Sequence, residues 1–379
     1  MMARLEEICA INMGQSPDSS TYNEDGNGLP FFQGNADFGE IYPAVRMWCS
    51  EPTKIAREKD ILISVRAPIG ALNIANCECC ISRGLAALTV NEDICAQEYL
   101  WHALSGKVDE LNSKGTGSTF KAINKKTLSE TEIPLPPIDE QRKIAAILDK
   151  VSDLIAKRQQ QLDKLDEMIK ARFMEIFGDS ETNTKNWRVL PMSKICSVGS
   201  SKRIYQSEQS SSGVPFWRIS DLTSLITTGT VTPELYIPEE RYKELKTQGQ
   251  VPAPGDILIT SRGTLGQCYI VKVNDRFYFQ DGMISWLSGY MDGVTPLYIS
   301  YLFTMPGFRK QIDSMQAGST VAYLSITMIK KLKVMLPDIE SQQQFASFVS
   351  KTEKTKTTIS RSLEKLETLK KALMQEYFG

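Results

Sequence analysis

The feature of this chain that most limits its possible folds is an internal repeat. Leu135–Gln141, which reads Leu-Pro-Pro-Ile-Asp-Glu-Gln, recurs as Leu336–Gln342, which reads Leu-Pro-Asp-Ile-Glu-Ser-Gln. The same offset of 201 residues places Phe177-Gly178 onto Phe378-Gly379 without a gap. This offset is far longer than the period of a solenoid repeat, so the sequence predicts two copies of one domain-sized unit.

Upstream of this motif the two copies match with small shifts in spacing. Asp60–Arg66 matches Asp256–Arg262, and each run is followed four residues after its arginine by a glycine, Gly70 or Gly266. Both runs contain Ile-Leu-Ile, which is typical of a short buried strand. We therefore expect a mixed domain of helices and strands before each copy of the proline motif.

Each copy ends in a long stretch whose apolar residues alternate at steps of four and three, as in a coiled-coil seam. Each stretch predicts one helix of about 40 residues, or roughly 60 Å. We expect the seam side chains to pack the helices together or to dock a partner. They are Ile144, Leu148, Val151, Ile155, Leu162 and Leu165 in the first helix, and Ile359, Leu363, Leu366 and Leu373 in the second.

Together these patterns predict an α+β fold with pseudo-twofold symmetry. Two mixed α/β domains are joined by two long helices that form an antiparallel coiled coil. The predicted boundaries are residues 1–136 and 179–336 for the two domains, and residues 137–178 and 337–379 for the two helices.

Composition and motifs exclude several classes of function. The 44 Lys and Arg against 45 Asp and Glu leave a net charge of −1, which argues against a simple basic DNA-coating protein. The spacing of Cys77, Cys79 and Cys80 matches no zinc motif, so we expect reduced thiols rather than a metal site. No phosphate-binding glycine loop, amino-methyltransferase motif or hydrolase motif is found. The sequence therefore predicts no catalytic and no metal-binding residue.

The sequence also contains no apolar run near the roughly 20 residues needed to span a bilayer, and its N-terminus has no apolar signal core. We therefore expect a cytoplasmic protein without a membrane partner.

The repeated motif and the helix after it resemble the specificity subunits of type I restriction–modification systems. The likeness rests on Ile133–Ile144, on Gly117-Ser118-Thr119-Phe120 before it, and on the recurrence of both. It implies two target-recognition domains, each reading one half of a split, asymmetric site in double-stranded DNA. It also implies helices that set the spacing of the half-sites and dock two methyltransferase subunits, with motor-nuclease subunits completing the enzyme.

The resemblance places the chemistry on those partners. It implies that S-adenosylmethionine, ATP and Mg are bound by the partner subunits, and that this chain binds no cofactor and is not itself an enzyme. The partners methylate adenine and cleave DNA. The second copy departs from the motif at Asp338 and Ser341, so equal docking of the two methyltransferase subunits is not implied.

Two polar loops that precede the helices are candidates for DNA contact, because hydroxyl and ammonium groups suit phosphates and base edges. The alternative is a plain turn that docks the domain on its helix. The candidate residues are Lys114, Ser118, Thr119 and Lys121 in the first copy, and Ser319, Thr320 and Tyr323 in the second.

A second group of candidates mixes cations and aromatics in the more basic second domain, which suits major-groove or phosphate contact. Its members are Lys202, Arg203, Tyr205, Trp217 and Arg218. The alternative is a solvated surface or a core tryptophan beside an arginine whose stem lies on apolar surface.

Three further residues are interpreted as structural. Arg66 and Arg262 end equivalent strands, which favours a framework or ion-pair role. His102, next to Trp101, is interpreted as a packed helix residue rather than a ligand.

Two other functions remain open at this point. One is a self-contained nuclease or methyltransferase, which the missing motifs disfavour. The other is a two-armed protein-interaction scaffold that does not bind DNA.

Overall fold

The computed structural model describes residues 1–117, 121–316 and 322–379, and it divides the chain into two compact units. Unit 1 consists of Met1–Gln160 and Ile359–Gly379, and unit 2 consists of Gln161–Thr358. Both units contain helices and sheets, which confirms the predicted α+β class. Within the described residues, no helix combines the length and the apolar character needed to cross a membrane.

Unit 1 contains the first eleven strands. They are β1 (Met2–Arg4), β2 (Cys9–Met13), β3 (Tyr22–Asn23), β4 (Leu29–Phe32), β5 (Trp48–Cys49), β6 (Ile55–Ala56), β7 (Ile61–Ser64), β8 (Leu72–Ile74), β9 (Cys79–Ile81), β10 (Leu85–Val90) and β11 (Glu132–Pro134). Its short helices are α1 (Leu5–Ile8), α2 (Gln97–Gly106), α3 (Val108–Ser113) and α4 (Lys125–Ser129), and the long helix α5 (Ile138–Phe177) begins in this unit.

Unit 2 contains the remaining nine named strands. They are β12 (Arg188–Pro191), β13 (Ser197–Gly199), β14 (Val214–Trp217), β15 (Tyr236–Ile237), β16 (Ile257–Thr260), β17 (Cys268–Ile270), β18 (Tyr278–Phe279), β19 (Ile284–Ser288) and β20 (Lys333–Leu336). Its helices are α6 (Ile219–Thr228), α7 (Glu239–Thr247), α8 (Pro296–Leu302), α9 (Pro306–Ser314) and α10 (Ile326–Lys331), and the second long helix α11 (Ile339–Phe378) begins here.

One four-stranded antiparallel sheet has the same strand order in both units. The order is β2-β10-β7-β8 in unit 1 and β13-β19-β16-β17 in unit 2. The central strands are the repeated Ile-Leu-Ile runs, Ile61–Ser64 and Ile257–Thr260, which are buried on both faces. A continuous apolar run is the pattern of such a strand, so this part of the prediction is confirmed.

A second sheet is built around a parallel strand pair in each unit, and here the units differ. The pairs are β4 with β9 and β14 with β18. In unit 1 the sheet has five strands, in the order β3-β5-β4-β9-β6, whereas in unit 2 it has three, in the order β15-β14-β18. Between β14 and β16 unit 2 inserts α6 and α7, which have no counterpart between β4 and β7.

The two long helices pack side by side in opposite directions within each unit. In unit 1, Tyr377 lies beside Ile144, and Lys370 lies beside Asp149. In unit 2, Lys356 contacts Asp166 at 2.7 Å, whereas the ring of Phe345 lies 5.4 Å from that of Phe177. The antiparallel arrangement predicted from the heptads is therefore present in each unit.

The ten seam residues named above are buried or half-buried, whereas most of the residues between them are exposed. Near the end of α5, however, Phe173 and Phe177 are buried, whereas Arg172 and Ile176, which continue the steps of four and three beyond Leu165, are only half-buried. The two rings pack on Tyr298 and Phe345 in the core of unit 2. This end of α5 packs on the core of unit 2 as well as on the other long helix, so the face that carries Phe173 and Phe177 points inward.

Candidate nucleic-acid interface

An exposed arginine follows the central strand of the four-stranded sheet in both units. In unit 1 the turn after β7 carries Arg66, and the Gly70 N–H donates a hydrogen bond to the Ser64 carbonyl at 2.8 Å. In unit 2 the turn after β16 carries Arg262, and the Gly266 N–H donates to the Thr260 carbonyl at the same distance. The repeat has therefore preserved the turn in three dimensions.

A hydroxyl and a glycine hold each turn. The Ser64 hydroxyl donates to the carbonyls of Arg66 and Pro68 at 2.7 and 2.8 Å, and the Gln267 N–H donates to Thr260 Oγ1 at 3.0 Å. Gly70 and Gly266 have φ of 91° and 72°, a left-handed conformation that glycine adopts without steric penalty. The conserved spacing between arginine and glycine is thus explained by the backbone.

The segment that follows each glycine-containing loop lies against the arginine turn. The Ile123 N–H donates to the Val65 carbonyl at 2.9 Å, and the equivalent Leu324 N–H donates to the Ser261 carbonyl at 3.0 Å. In unit 1, the Ala67 N–H also donates to the Lys121 carbonyl at 3.1 Å. Four of the predicted contact residues, Ser118, Thr119, Ser319 and Thr320, lie outside the described residues.

The other loop candidates have different surroundings. Lys121 is exposed, but Lys114 pairs with Glu110 at 2.6 Å. Hydrogen bonds from Lys114 and Lys107 hold the pKa of the Glu110 carboxylate below its usual range. The ring of Tyr323 lies under the Arg262 guanidinium, 5.3 Å from its central carbon, which is a cation–π geometry.

The second group of candidates lies near β14. Lys202 and Tyr205 are exposed, and Tyr205 has 63% of its surface free. Arg203 forms an ion pair with Asp281 at 2.9 Å. Arg218 pairs with Glu234 at 2.8 Å and with Asp221 at 3.4 Å, so part of its charge is neutralised within the unit.

Trp217 requires a correction. It is only 6% exposed, and its ring stacks on Phe277 with centroids 3.6 Å apart. A side chain enclosed in this way cannot reach a base edge without unfolding its surroundings. The core tryptophan that the sequence left as the alternative is therefore the observed state.

The ion-pair interpretation of Arg66 and Arg262 is also not supported. Among the residues that the structure describes, neither guanidinium lies within 4.0 Å of a carboxylate oxygen or donates a hydrogen bond. Both side chains are exposed. These two arginines, whose equivalent positions are evident from the repeat, are therefore further candidates for DNA contact.

Structural roles account for the remaining polar candidates. His102 is 5% exposed, and its Nε2 lies 2.7 Å from Asp149 Oδ1, as expected for a packed helix residue. Cys79 and Cys80 are buried, and burial raises the pKa of Cys79 to about 12. In the described part of the chain no three His, Cys, Asp or Glu side chains are arranged to hold a metal ion.

The fold and these turns define a class of internally duplicated α+β proteins with paired long helices. The chain belongs to the family described as type I restriction modification DNA specificity domain, whose model matches residues 1–167 and 184–368. The resemblance inferred from the repeated motif is thereby confirmed.

Individual relatives agree with this assignment. The putative type I restriction enzyme MjaX specificity subunit of Methanocaldococcus jannaschii is 42% identical over 180 residues, which cover 48% of this chain and 42% of the relative. A putative specificity subunit of Haemophilus influenzae is 27% identical over 252 residues, which cover 65% of this chain and 62% of the relative. The matched regions thus span less than two thirds of either relative's length.

Solved structures show the same fold. A type I restriction–modification S subunit from M. genitalium superposes with a TM-score of 0.61 at 14% identity, covering 100% of this chain and 96% of the other. A chain from a structure on complex assembly and conformational transition of the type I system gives 0.62 at 16% identity, covering 100% and 97%.

Proposed function

We propose that this chain is the DNA-reading, non-catalytic subunit of a type I restriction–modification enzyme, and that each unit reads one half of a bipartite site. The observation that carries the proposal is the exposed arginine turn that occurs once in each unit. An exposed cationic turn suits a nucleic-acid backbone. Two such turns on two unlike units match a site with two unlike halves.

We further propose that the long helices dock the methyltransferase subunits. Several apolar side chains on these helices remain exposed, among them Leu154, Met168 and Leu369. Exposed apolar residues on a long amphipathic helix are typical of a contact surface. The methyltransferase subunits would bind S-adenosylmethionine and methylate adenine, and motor-nuclease subunits would supply the ATP- and Mg-dependent steps.

Reconstitution with methyltransferase subunits tests this proposal. The purified chain alone is expected to methylate no DNA, whereas the assembled complex is expected to methylate adenine in a motif of two parts separated by several base pairs. Replacing residues 1–135 with the corresponding domain of another specificity subunit should change one half of the motif only. Methylation by the chain alone, or a motif that survives the replacement unchanged, would exclude the proposal. The second result would favour a protein-interaction scaffold.

A further inference from the structure

We propose that each unit divides DNA recognition between two surfaces. The repeated arginines Arg66 and Arg262 bind backbone phosphates, and the two unlike segments that join equivalent strands, residues 33–46 between β4 and β5 and residues 218–234 between β14 and β15, contact the bases. This inference rests on the proposed function, because it assigns roles within a DNA-reading subunit.

Different half-sites differ in their bases, but both have the same sugar–phosphate backbone. A residue that occupies the same place in both units can therefore contact the shared backbone in both half-sites, whereas base-specific contacts need side chains that differ. The duplication within one chain thus separates the two kinds of contact.

Most shared polar residues are explained by internal hydrogen bonds. Asp60 and Asp256 accept from the backbone N–H groups of Arg57 and Ala253 at 2.8 and 2.7 Å. The hydroxyls of Tyr99 and Tyr298 donate to the carbonyls of residues 134 and 335 at 2.8 and 2.9 Å. These residues stabilise the unit itself, so their recurrence needs no external ligand.

The two arginines lack such an explanation. Their turns are held by backbone and hydroxyl groups, and the guanidinium groups take no part in this. No carboxylate of the described residues neutralises either charge. A planar guanidinium binds a phosphate through two parallel hydrogen bonds, so an exposed and unneutralised arginine at a rigid position fits this ligand. Tyr323 further restricts the orientation of Arg262.

The unshared segment of unit 1 follows β4 and exposes several apolar side chains beside a cation. Ile41, Tyr42 and Val45 are 47%, 54% and 38% exposed, and the neighbouring Arg46 is exposed as well. Apolar and aromatic side chains contact the thymine methyl group, and arginine pairs with guanine in the major groove. A cluster of exposed apolar residues with a cation therefore favours base contact over a plain solvated loop.

The unshared segment of unit 2 has different chemistry. The end of α6 and the residues after it expose the hydroxyls of Thr227, Thr228 and Thr230. The hydroxyls of Thr227 and Thr228 donate to the carbonyls of Thr223 and Ser224 at 2.8 Å, so their oxygens can accept hydrogen bonds from amino groups on base edges. Apolar and cationic groups in one unit, and hydroxyls in the other, fit an asymmetric site.

The experiment uses the complex with its methyltransferase subunits. Arg66→Ala and Arg262→Ala are expected to weaken binding to specific and to nonspecific DNA by similar factors. Each should reduce the magnitude of the slope of the logarithm of the binding constant against the logarithm of salt concentration by about 1. The methylated motif should stay unchanged. Arg66→Lys should keep the salt slope but lose part of the affinity. The matched control is Arg57→Ala, an exposed arginine whose equivalent is Ala253, and it should leave the salt slope unaltered.

Variants of the unshared segments should behave in the opposite way. Tyr42→Ala or Arg46→Ala should relax the methylated motif in one half only, and Thr227→Ala with Thr230→Ala should relax the other half. The division of roles is wrong if the Arg66 or Arg262 variants alter the motif. It is also wrong if the segment variants weaken all sequences equally. Absence of any sequence-dependent binding by the wild-type complex would instead exclude the proposed function itself.

Discussion

The side-chain oxygen of Gln342 accepts a hydrogen bond from the backbone N–H of Thr295 at 2.8 Å. Its side-chain nitrogen donates to the carbonyls of Gly293 and Pro337 at 2.8 and 2.9 Å. Gln141 makes the same contacts in unit 1, with the Ala96 N–H and with two carbonyls. Each glutamine joins the start of a long helix to the segment before a short helix of the same unit. This explains why the repeated motif ends in glutamine.

Replacing Gln342 by leucine is expected to destabilise unit 2. Because the side chain is only 1% exposed, the substitution leaves a backbone N–H and two carbonyls without partners in a buried place. The free energy of unfolding should fall by about 1–3 kcal/mol, measured by urea denaturation. Gln343→Leu, on the exposed side of the same helix, is the control and should change it by less than about 0.5 kcal/mol. Equal effects of the two variants would contradict the anchoring role.

Phe173→Ala should destabilise unit 2 more strongly. The ring is fully buried and lies 4.7 to 5.7 Å from the rings of Phe177, Phe345 and Tyr298. Removing it leaves a cavity in a packed aromatic cluster, so the loss is expected to be about 3–5 kcal/mol. Met174→Ala, at the next and more exposed position, is the comparison. Similar losses for both would show that α5 is not oriented as described.

The stability of the protein should depend on pH through His102, the one histidine of the chain. Burial lowers the pKa of His102, and the hydrogen bond to Asp149 offsets this only in part. A histidine with a lowered pKa binds fewer protons in the folded state than in the unfolded state. Its contribution to stability is therefore complete above the unfolded-state pKa of about 6.5 and is lost as the pH falls through the folded-state value.

The variant His102→Gln tests this dependence, because glutamine keeps a donor for Asp149 but does not titrate. Urea denaturation between about pH 7.5 and 5.5 should show a smaller decline of the unfolding free energy for the variant than for the wild type. Parallel declines in the two proteins would mean that His102 is not the titrating group.

Gly266→Ala should disturb the arginine turn. Gly266 has φ of 72°, and an added Cβ would lie 2.8 Å from Arg309 Nη1 and 3.2 Å from Ile312 Cδ1. The expected loss of stability is about 1–3 kcal/mol, from backbone strain and crowding together. Gly199→Ala is the matched control, because that position has an ordinary φ and open space around a Cβ. A loss at Gly199 as large as at Gly266 would contradict the conformational argument.

The sequence predicted the elements that depend on regular patterns. The heptads identified both long helices, which the structure places at Ile138–Phe177 and Ile339–Phe378. The Ile-Leu-Ile runs identified the central strands. Periodicity and uninterrupted apolarity are local properties, so a single sequence is enough to detect them.

Other features could not be predicted because they depend on neighbours far apart in the chain. The mixture of cations and aromatics near Trp217 suggested a contact surface, but the ring stacks on Phe277, 60 residues later. The ion-pair interpretation of Arg66 and Arg262 failed for the same reason, since only the folded chain shows which carboxylates come near. The repeat identified Gln141 and Gln342 as equivalent positions. It did not identify the backbone groups to which their side chains hydrogen bond.

The amino-acid sequence by itself determined that this protein is a duplicated α+β chain with two long helices and a recognisable family motif. The tertiary structure decided which shared residues are used internally and which remain free for a ligand. The physical reason is that a repeat specifies equivalent positions along the chain, whereas burial and hydrogen-bond partners are set by distances in space. Arg66 and Gln141 recur equally in sequence, but among the described residues only the side chain of Gln141 finds hydrogen-bond partners within its own unit.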